Sequence, residues 1–324
     1  MKKLLANKET TARILLAAYK EGVDGVGVSL YKKLRLKEST YTYYLEKLKK
    51  EKFYTRTRYE VNLEALGLGE FAWLLFAAER DKLDESFFTK KVLSLPQVHT
   101  VANVTGNHDY AVRIFGPSMQ SISSTALAIE RLFEGVIFDT KMFFENTQYK
   151  RHYIQTKPYP KVKLKKIDCL ILAEKTLNPQ ISLGEIAKKH KAHRNTVSNR
   201  WNYLLNNNVI FKETLLLTQE GYDFIDLGLK AFVVAKTFPG QEDKAIKCLL
   251  YMDEIQDLFT TLSNEIIMIL RTKNSASLSL FHSTLGKRCK YIKRTMTMIL
   301  LSKQTKQVLE VEDLAKIICM NCSA

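Results

Sequence analysis

No stretch of about 18 consecutive apolar residues, the length a membrane-spanning helix needs, occurs in this chain of 324 residues. The start, MKKLLANKETTARILLAAY, breaks its apolar positions with Asn, Lys, Glu and Arg and does not read as an export signal. The expectation is a soluble, cytoplasmic protein with no membrane partner. Cysteine is sparse: the five residues Cys169, Cys248, Cys289, Cys319 and Cys322 are odd in number and scattered, which argues against a disulfide framework and fits reduced thiols. Cys319 and Cys322 have the spacing of a metal or redox pair, but no second pair stands near them, so no metal site is expected. The catalytic loops are missing too, with no Walker A segment, no His-Glu-x-x-His and no Gly-x-Ser-x-Gly. Of the six histidines, His190 and His193 fall in a helix-turn-helix, His152 in a basic stretch, and His99, His108 and His282 in or beside other domains. A lone histidine in such places is ordinarily a surface or capping residue. Neither a cofactor nor enzymatic activity is expected.

What the chain does have is length for at least two cores and an uneven positive charge. The net charge is +16, with an excess of +8 over residues 1–60 and +10 over residues 148–215. Cationic blocks on folded domains attract phosphate through counterion release, so double-stranded DNA is the leading partner.

The second block holds Ser182–Ile210, SLGEIAKKHKAHRNTVSNRWNYLLNNNVI. Leu183, Ile186 and Ala187 make one apolar stripe, and Val197, Trp201 and Leu204 another, so two short helices share a buried side across the break at Lys191-Ala192. This is the pattern of a helix-turn-helix, with His193 or Asn195 capping its second helix. The outward face offers His193, Arg194, Asn195, Ser198, Asn199, Arg200 and Asn202 and no acid. Asn and Arg pair with adenine and guanine edges in the major groove. The bland alternative is a solvated helix face.

Sliding the chain against itself by 156 residues sets Leu30 on Ile186, Thr40 on Thr196, Tyr41 on Val197, Leu45 on Trp201 and Leu48 on Leu204. The motif is therefore doubled, and the first copy's candidate DNA-contacting face is Ser39, Thr40, Thr42, Tyr43 and Lys47. Arg56 and Arg58, in the alternating stretch 53–61, are expected on a wing near phosphates. Beyond each copy the apolar pattern gives β-α-β-β-α-β order, first over 71–145 and again over 231–302. The predicted fold is α+β: two winged helix-turn-helix domains alternating with two ferredoxin-like domains. Boundaries fall at 1–61, 62–147, a linker at 148–162 marked by Pro158 and Pro160, 163–226 and 227–324, the last closing with a short helix over 312–320.

Asn62-Leu-Glu-Ala-Leu-Gly-Leu-Gly69, the run Val98–Val112 with its Val-Thr-Gly-Asn-His-Asp-Tyr core, Ile167-Asp168 and Lys293–Ile299 together resemble the Lrp/AsnC family of regulators, here as a tandem duplication. The resemblance implies a DNA-binding transcriptional regulator that self-associates through its ferredoxin-like sheets. It further implies a small effector such as an amino acid at Gly106, Asn107, His108 and Asp109. A tight hairpin that needs Gly for positive φ and Asp for a turn bond is the structural alternative. In the second copy Ser263 and Ile266 replace Gly106 and Asp109, which implies that an effector site there is lost. Because the copies are joined covalently, the sheets can pair within one chain or between chains. Siroheme decarboxylases resemble the same family and bind a tetrapyrrole with basic and His residues. The two positive reader domains weigh against that alternative, and an architectural DNA-binding protein without effector is the other.

Overall fold

The structure, a computed structural model, describes residues 8–23, 29–156 and 162–305. The expected tail helix, Cys319 and Cys322, and the prolines of the expected linker lie outside these residues. The architecture is mixed α/β, in two layers built by both halves of the chain together.

The first layer holds helices α1 (Lys8–Glu21), α2 (Leu30–Lys33) and α3 (Glu38–Lys50) with strand β1 (Tyr54–Val61), and helices α6 (Lys166–Leu177), α7 (Leu183–Lys189) and α8 (Arg194–Asn206) with strand β7 (Ile210–Leu217). Ile14, Leu15, Ala18 and Tyr19 bury one stripe of α1, as a 3.6-residue period requires. Helix α7 starts with a reciprocal cap: the Glu185 amide donates to the Ser182 hydroxyl and the Ser182 amide to the Glu185 carboxylate. Two of the orphan donors of its first turn are thereby satisfied. The wing strands depart from expectation. β1 and β7 pair antiparallel with each other, from Tyr54 opposite Leu217 to Val61 opposite Ile210. Leu215 and Leu217 of β7 enter the core of the first helical unit, while Tyr59 and Val61 of β1 pack into that of the second. A lone wing strand leaves both of its edges unpaired, and here each wing strand supplies the other's partner in a two-stranded sheet.

The second layer holds strands β2 (Glu70–Ala78), β3 (Val98–Val104), β4 (Tyr110–Gly116) and β5 (Ile137–Arg151) with helices α4 (Glu85–Leu93) and α5 (Met119–Leu132). It also holds a short β6 (Ile154–Gln155) and, after a short α9 (Gln219–Phe224), strands β8 (Leu229–Thr237), β9 (Ile255–Thr261), β10 (Ile266–Thr272) and β11 (Ile292–Thr305) with helices α10 (Glu242–Leu249) and α11 (Ser275–Arg288). The β-α-β-β-α-β order of each half is present. Instead of two separate four-stranded sheets, however, the strands run β2-β4-β3-β11-β8-β10-β9-β5 with β5 back on β2, a closed eight-stranded barrel. Closure removes every free edge and explains the length of β5 and β11. β5 pairs with β2 through Phe144 and with β9 from Glu145 onward, and β11 pairs with β8 through Ile299 and with β3 from Leu300. The beginning of the expected linker is therefore strand, held to β9 as far as Lys150. The sheets of the two copies pair within one chain.

Both faces of the strands are apolar, for two different reasons. Ala72, Leu74 and Phe76 of β2 face Phe88 of α4 and Ile122, Ala126 and Ile129 of α5. The alternate residues Trp73 and Leu75 fill the barrel interior with Phe143, Phe232, Phe259, Ile267 and Ile269. A period of two sorts one strand between two cores.

A basic cleft as candidate active site

The wing pair β1/β7 roofs the barrel, and between them lies a cleft that opens to solvent. Its wall carries Arg58 and Glu60 from β1, Trp73, His99, Arg113 and Phe115 from the first half of the barrel, Arg151 at the end of β5 and His152 just after it, and Lys230, Gln256, Asp257 and Ile269 from the second half.

His152 stands at its centre. With Tyr153 it makes the two-residue turn between β5 and β6, and both residues take the left-handed conformation, φ +50° and +70°. A two-residue hairpin turn needs positive φ at both central positions, which Asn and Gly supply readily. A histidine and a tyrosine there cost on the order of 1–3 kcal/mol each, and strain of this kind gathers at functional sites. Neighbours hold the turn in place. The His152 amide donates to Asp257 Oδ1 at 2.9 Å, and the Lys212 ammonium donates to the carbonyls of His152 at 3.0 Å and Lys20 at 2.5 Å.

The imidazole Nε2 is 3.4 Å from Glu60 Oε1 and 3.4 Å from the Arg58 guanidinium. Nδ1 is buried with no partner. Burial pushes the His152 pKa well below the usual range; Glu60 opposes this, and Lys212 and Arg58 add to it, so the ring is neutral at neutral pH. Burial alone would raise the Glu60 carboxyl, but Arg58, His152, Arg151 and Lys212 outweigh it and hold the group far below the ordinary carboxylate range.

The cations are unequally matched. Arg58 is 2.7 Å from Glu60, and Arg113 makes a bidentate pair with Glu145, both bonds 3.0 Å. Arg151 makes no hydrogen bond or ion pair through its side chain among the described residues and lies beside the rings of Phe71 and Phe211, at 5.9 and 5.6 Å. Trp73 Nε1 and Gln256 Oε1 are further buried polar atoms without partners in the cleft wall. Such orphans in a native protein call for a ligand or water. His99 is oriented by a 2.8 Å contact between Nδ1 and the Thr100 hydroxyl.

Of the residues expected to contact DNA, Arg58 is the one that reaches this cleft, and Glu60 holds it there. Arg56 reaches the other helical unit and donates to the Leu177 carbonyl. Arg200 makes a bidentate pair with the fully buried Asp168, so its fork is occupied and cannot read a base. His193 caps α8 by accepting from the Asn195 amide. Arg194, Asn195, Asn199 and Asn202 are exposed and Ser198 half-buried on α8. On α3, Ser39, Thr42 and Tyr43 line a shallow surface with Glu38 and Glu46, whose charge repels phosphate; Thr40 and Lys47 are half-buried. Gly106, Asn107, His108 and Asp109 form the turn between β3 and β4, away from the cleft. The Ala78 amide donates to Asp109 Oδ2 and the Asp109 amide to the Phe76 carbonyl, which ties the carboxylate to β2 backbone. Gly106 has φ +107°, as the hairpin reading requires. Burial lowers the His108 pKa.

No protein-family model matches the chain, and no curated protein does. Among solved structures, the siroheme decarboxylase NirDL matches with 12% identity over 97% of this chain and 99% of its own, TM-score 0.61. The same enzyme in complex with an iron-uroporphyrin III analogue matches over 98% and 99%, TM-score 0.61. The regulator AsnC of E. coli covers 44% of this chain at 17% identity, TM-score 0.40. The fold is thus that of the decarboxylase structure from end to end. This corrects the expectation of a DNA-binding regulator without enzymatic activity: the full-length likeness is to the structure of an enzyme, and the paired wings and the neutralised Arg58 and Arg200 agree with the correction. Among the described residues no helix is long and apolar enough to cross a membrane.

Proposed function

We propose that the chain is a decarboxylase acting on a carboxylated iron tetrapyrrole of the siroheme type, bound as substrate in the cleft around His152. The observation that carries this reading is the Arg151 guanidinium, which makes no direct hydrogen bond or ion pair among the described residues although Glu60, Asp257 and Glu145 act on it at longer range, set beside the orphaned Nδ1 of His152 in the same cleft. A uroporphyrin-like macrocycle is a flat apolar body rimmed by acetate and propionate groups. Trp73, Phe115, Leu63 and Ile269 offer it apolar walls, and Arg151 and Lys230 offer its rim cations, while Arg58 and Arg113 on the same wall are held by Glu60 and Glu145. The end-to-end likeness to a siroheme decarboxylase, also solved with an iron-uroporphyrin III analogue, supports the same substrate class.

Loss of CO2 from an acetate side chain breaks the bond between its methylene and carboxyl carbons, leaves the electron pair on the methylene, and consumes one proton to give a methyl group. Cations at the rim fix the non-reacting carboxylates and so orient the macrocycle. In the tautomer whose Nε2 accepts from Arg58, neutral His152 carries its proton on Nδ1 and donates a hydrogen bond into the cleft; in the tautomer whose Nε2 donates to Glu60, Nδ1 is an acceptor there. His99 is the second imidazole on the wall, and imidazole is the side chain suited to delivering a proton near neutral pH. On this reading the chain is a fused pair of units, 1–147 and 163–324, each a helix-turn-helix followed by a ferredoxin-like half-barrel.

Titration with iron uroporphyrin, followed through the Soret band, tests the assignment. Wild type should saturate. Arg151→Gln, losing a charged hydrogen bond of about 1.5–3 kcal/mol, should bind roughly ten- to a hundredfold more weakly. An unchanged spectrum on addition of wild-type protein would refute it.

A further inference from the structure

We propose that a further cleft, which adjoins the first through Arg58, His152, Lys230 and Gln256 on both walls, binds a carboxylate carried on an apolar body, with Arg271 as its anchor. Arg271 is 8% exposed. Its NH1 donates to the Leu227 carbonyl at 3.1 Å, its plane lies 3.7 Å from the Tyr222 ring centre, and its Nε has no partner. Among the described residues no carboxylate pairs with it. A buried guanidinium without a counter-charge is costly, and tying down Leu227 uses NH1 alone.

The cleft beside it opens to solvent, and none of its lining residues is acidic. Arg58 and Lys230 join Arg271 on the wall, and leucines of β7 and β11 supply the apolar part. Lys230 stands directly opposite Arg271 in the β8/β10 register. An anion held between two cations that face each other across a strand pair is attracted by both. In the first half of the barrel, at the same register of β2 and β4, Phe71 and Phe115 face each other. This pair of cations therefore belongs to the second half and is not a remnant of duplication.

The inference concerns anion binding and does not rest on the decarboxylase reading. The carboxylate can come from the far edge of a macrocycle held at His152 or from a separate small molecule. Calorimetry on the full chain with benzoate, with benzamide as the neutral control, and with iron uroporphyrin distinguishes the two. Binding of benzoate but not benzamide, weakened tenfold or more by Arg271→Gln, is expected. Leu301→Glu places a negative charge on a residue of the cleft lining that is 64% exposed; it should weaken binding in the same way even if Arg271→Gln does not fold. Displacement of benzoate by iron uroporphyrin assigns the site to the macrocycle edge, as does variant-sensitive binding of the macrocycle alone; simultaneous binding assigns it to a separate ligand. The proposal is overturned if neither probe binds, if benzamide binds as well as benzoate, or if both variants keep wild-type affinity for both anions. Benzoate binding without any Soret change would leave this site standing and refute the decarboxylase reading alone.

Discussion

Replacing Glu60 by glutamine keeps the volume of the side chain and removes its charge from a place where four positive or polarisable groups converge. Arg58 is 2.7 Å away and His152 3.4 Å away, and Arg151 and Lys212 also stabilise the carboxylate. The carboxylate is 15% exposed and its Arg58 partner 25% exposed, so water screens the pair only in part. Breaking a buried ion pair by removing one partner leaves an uncompensated charge and costs about 3–5 kcal/mol. Urea denaturation followed by circular dichroism at neutral pH should show that loss at an unchanged m-value. The pH dependence follows from the sign of the shift. Because the folded-state pKa lies below the ordinary value of 4.5, the contribution of Glu60 is complete above that value and is lost as the pH falls toward the folded pKa. Wild type and Glu60→Gln should therefore converge in acid. A difference under about 1 kcal/mol at neutral pH, the size of an exposed pair, or one that persists undiminished in acid, would refute the buried-pair reasoning.

Asp168→Asn should cost about 3–5 kcal/mol by stranding Arg200 and loosening the start of α6, read as a fall in the denaturation midpoint. Burial lowers Lys212 to about 8 from 10.5, so in that window the unfolded chain holds a proton that the folded chain has released. Stability from this group therefore rises with pH across the window, and Lys212→Met should abolish the rise in denaturation curves taken through it. His152→Asn places at φ +50° a residue that tolerates the left-handed region; folding stability should stay within about 1 kcal/mol of wild type while turnover falls on the order of a hundredfold. Gly221→Ala would put a methyl 2.0 Å from the Phe53 carbonyl oxygen and should cost about 1–3 kcal/mol or more, measured by thermal melting.

Local patterns were legible in the sequence. The stripe of α1, the cap and break between α7 and α8, and the strand and helix order of each half follow from periods of 3.6 and 2 and from turn chemistry. Barrel closure was not, because β5 with β9 and β11 with β3 are pairings between distant segments that no local period encodes. Pairing of β1 with β7 was hidden for the same reason, and with it the fate of Arg58. His152 and Arg151 lay in a stretch read as a linker because Pro158 and Pro160 follow it, and a His-Tyr pair gives no hairpin signal where Asn-Gly would. Arg200 has the pattern of a base reader in the sequence because Asp168, its partner, is 32 residues away.

Anaerobic incubation of the purified chain with siroheme, with released CO2 measured and the macrocycle analysed by mass spectrometry, tests the central claim most directly. The account predicts CO2 and a product lighter by the corresponding loss, both greatly reduced in His152→Asn and Arg151→Gln. Siroheme recovered intact, under conditions where its absorption shows that it is bound, would contradict it.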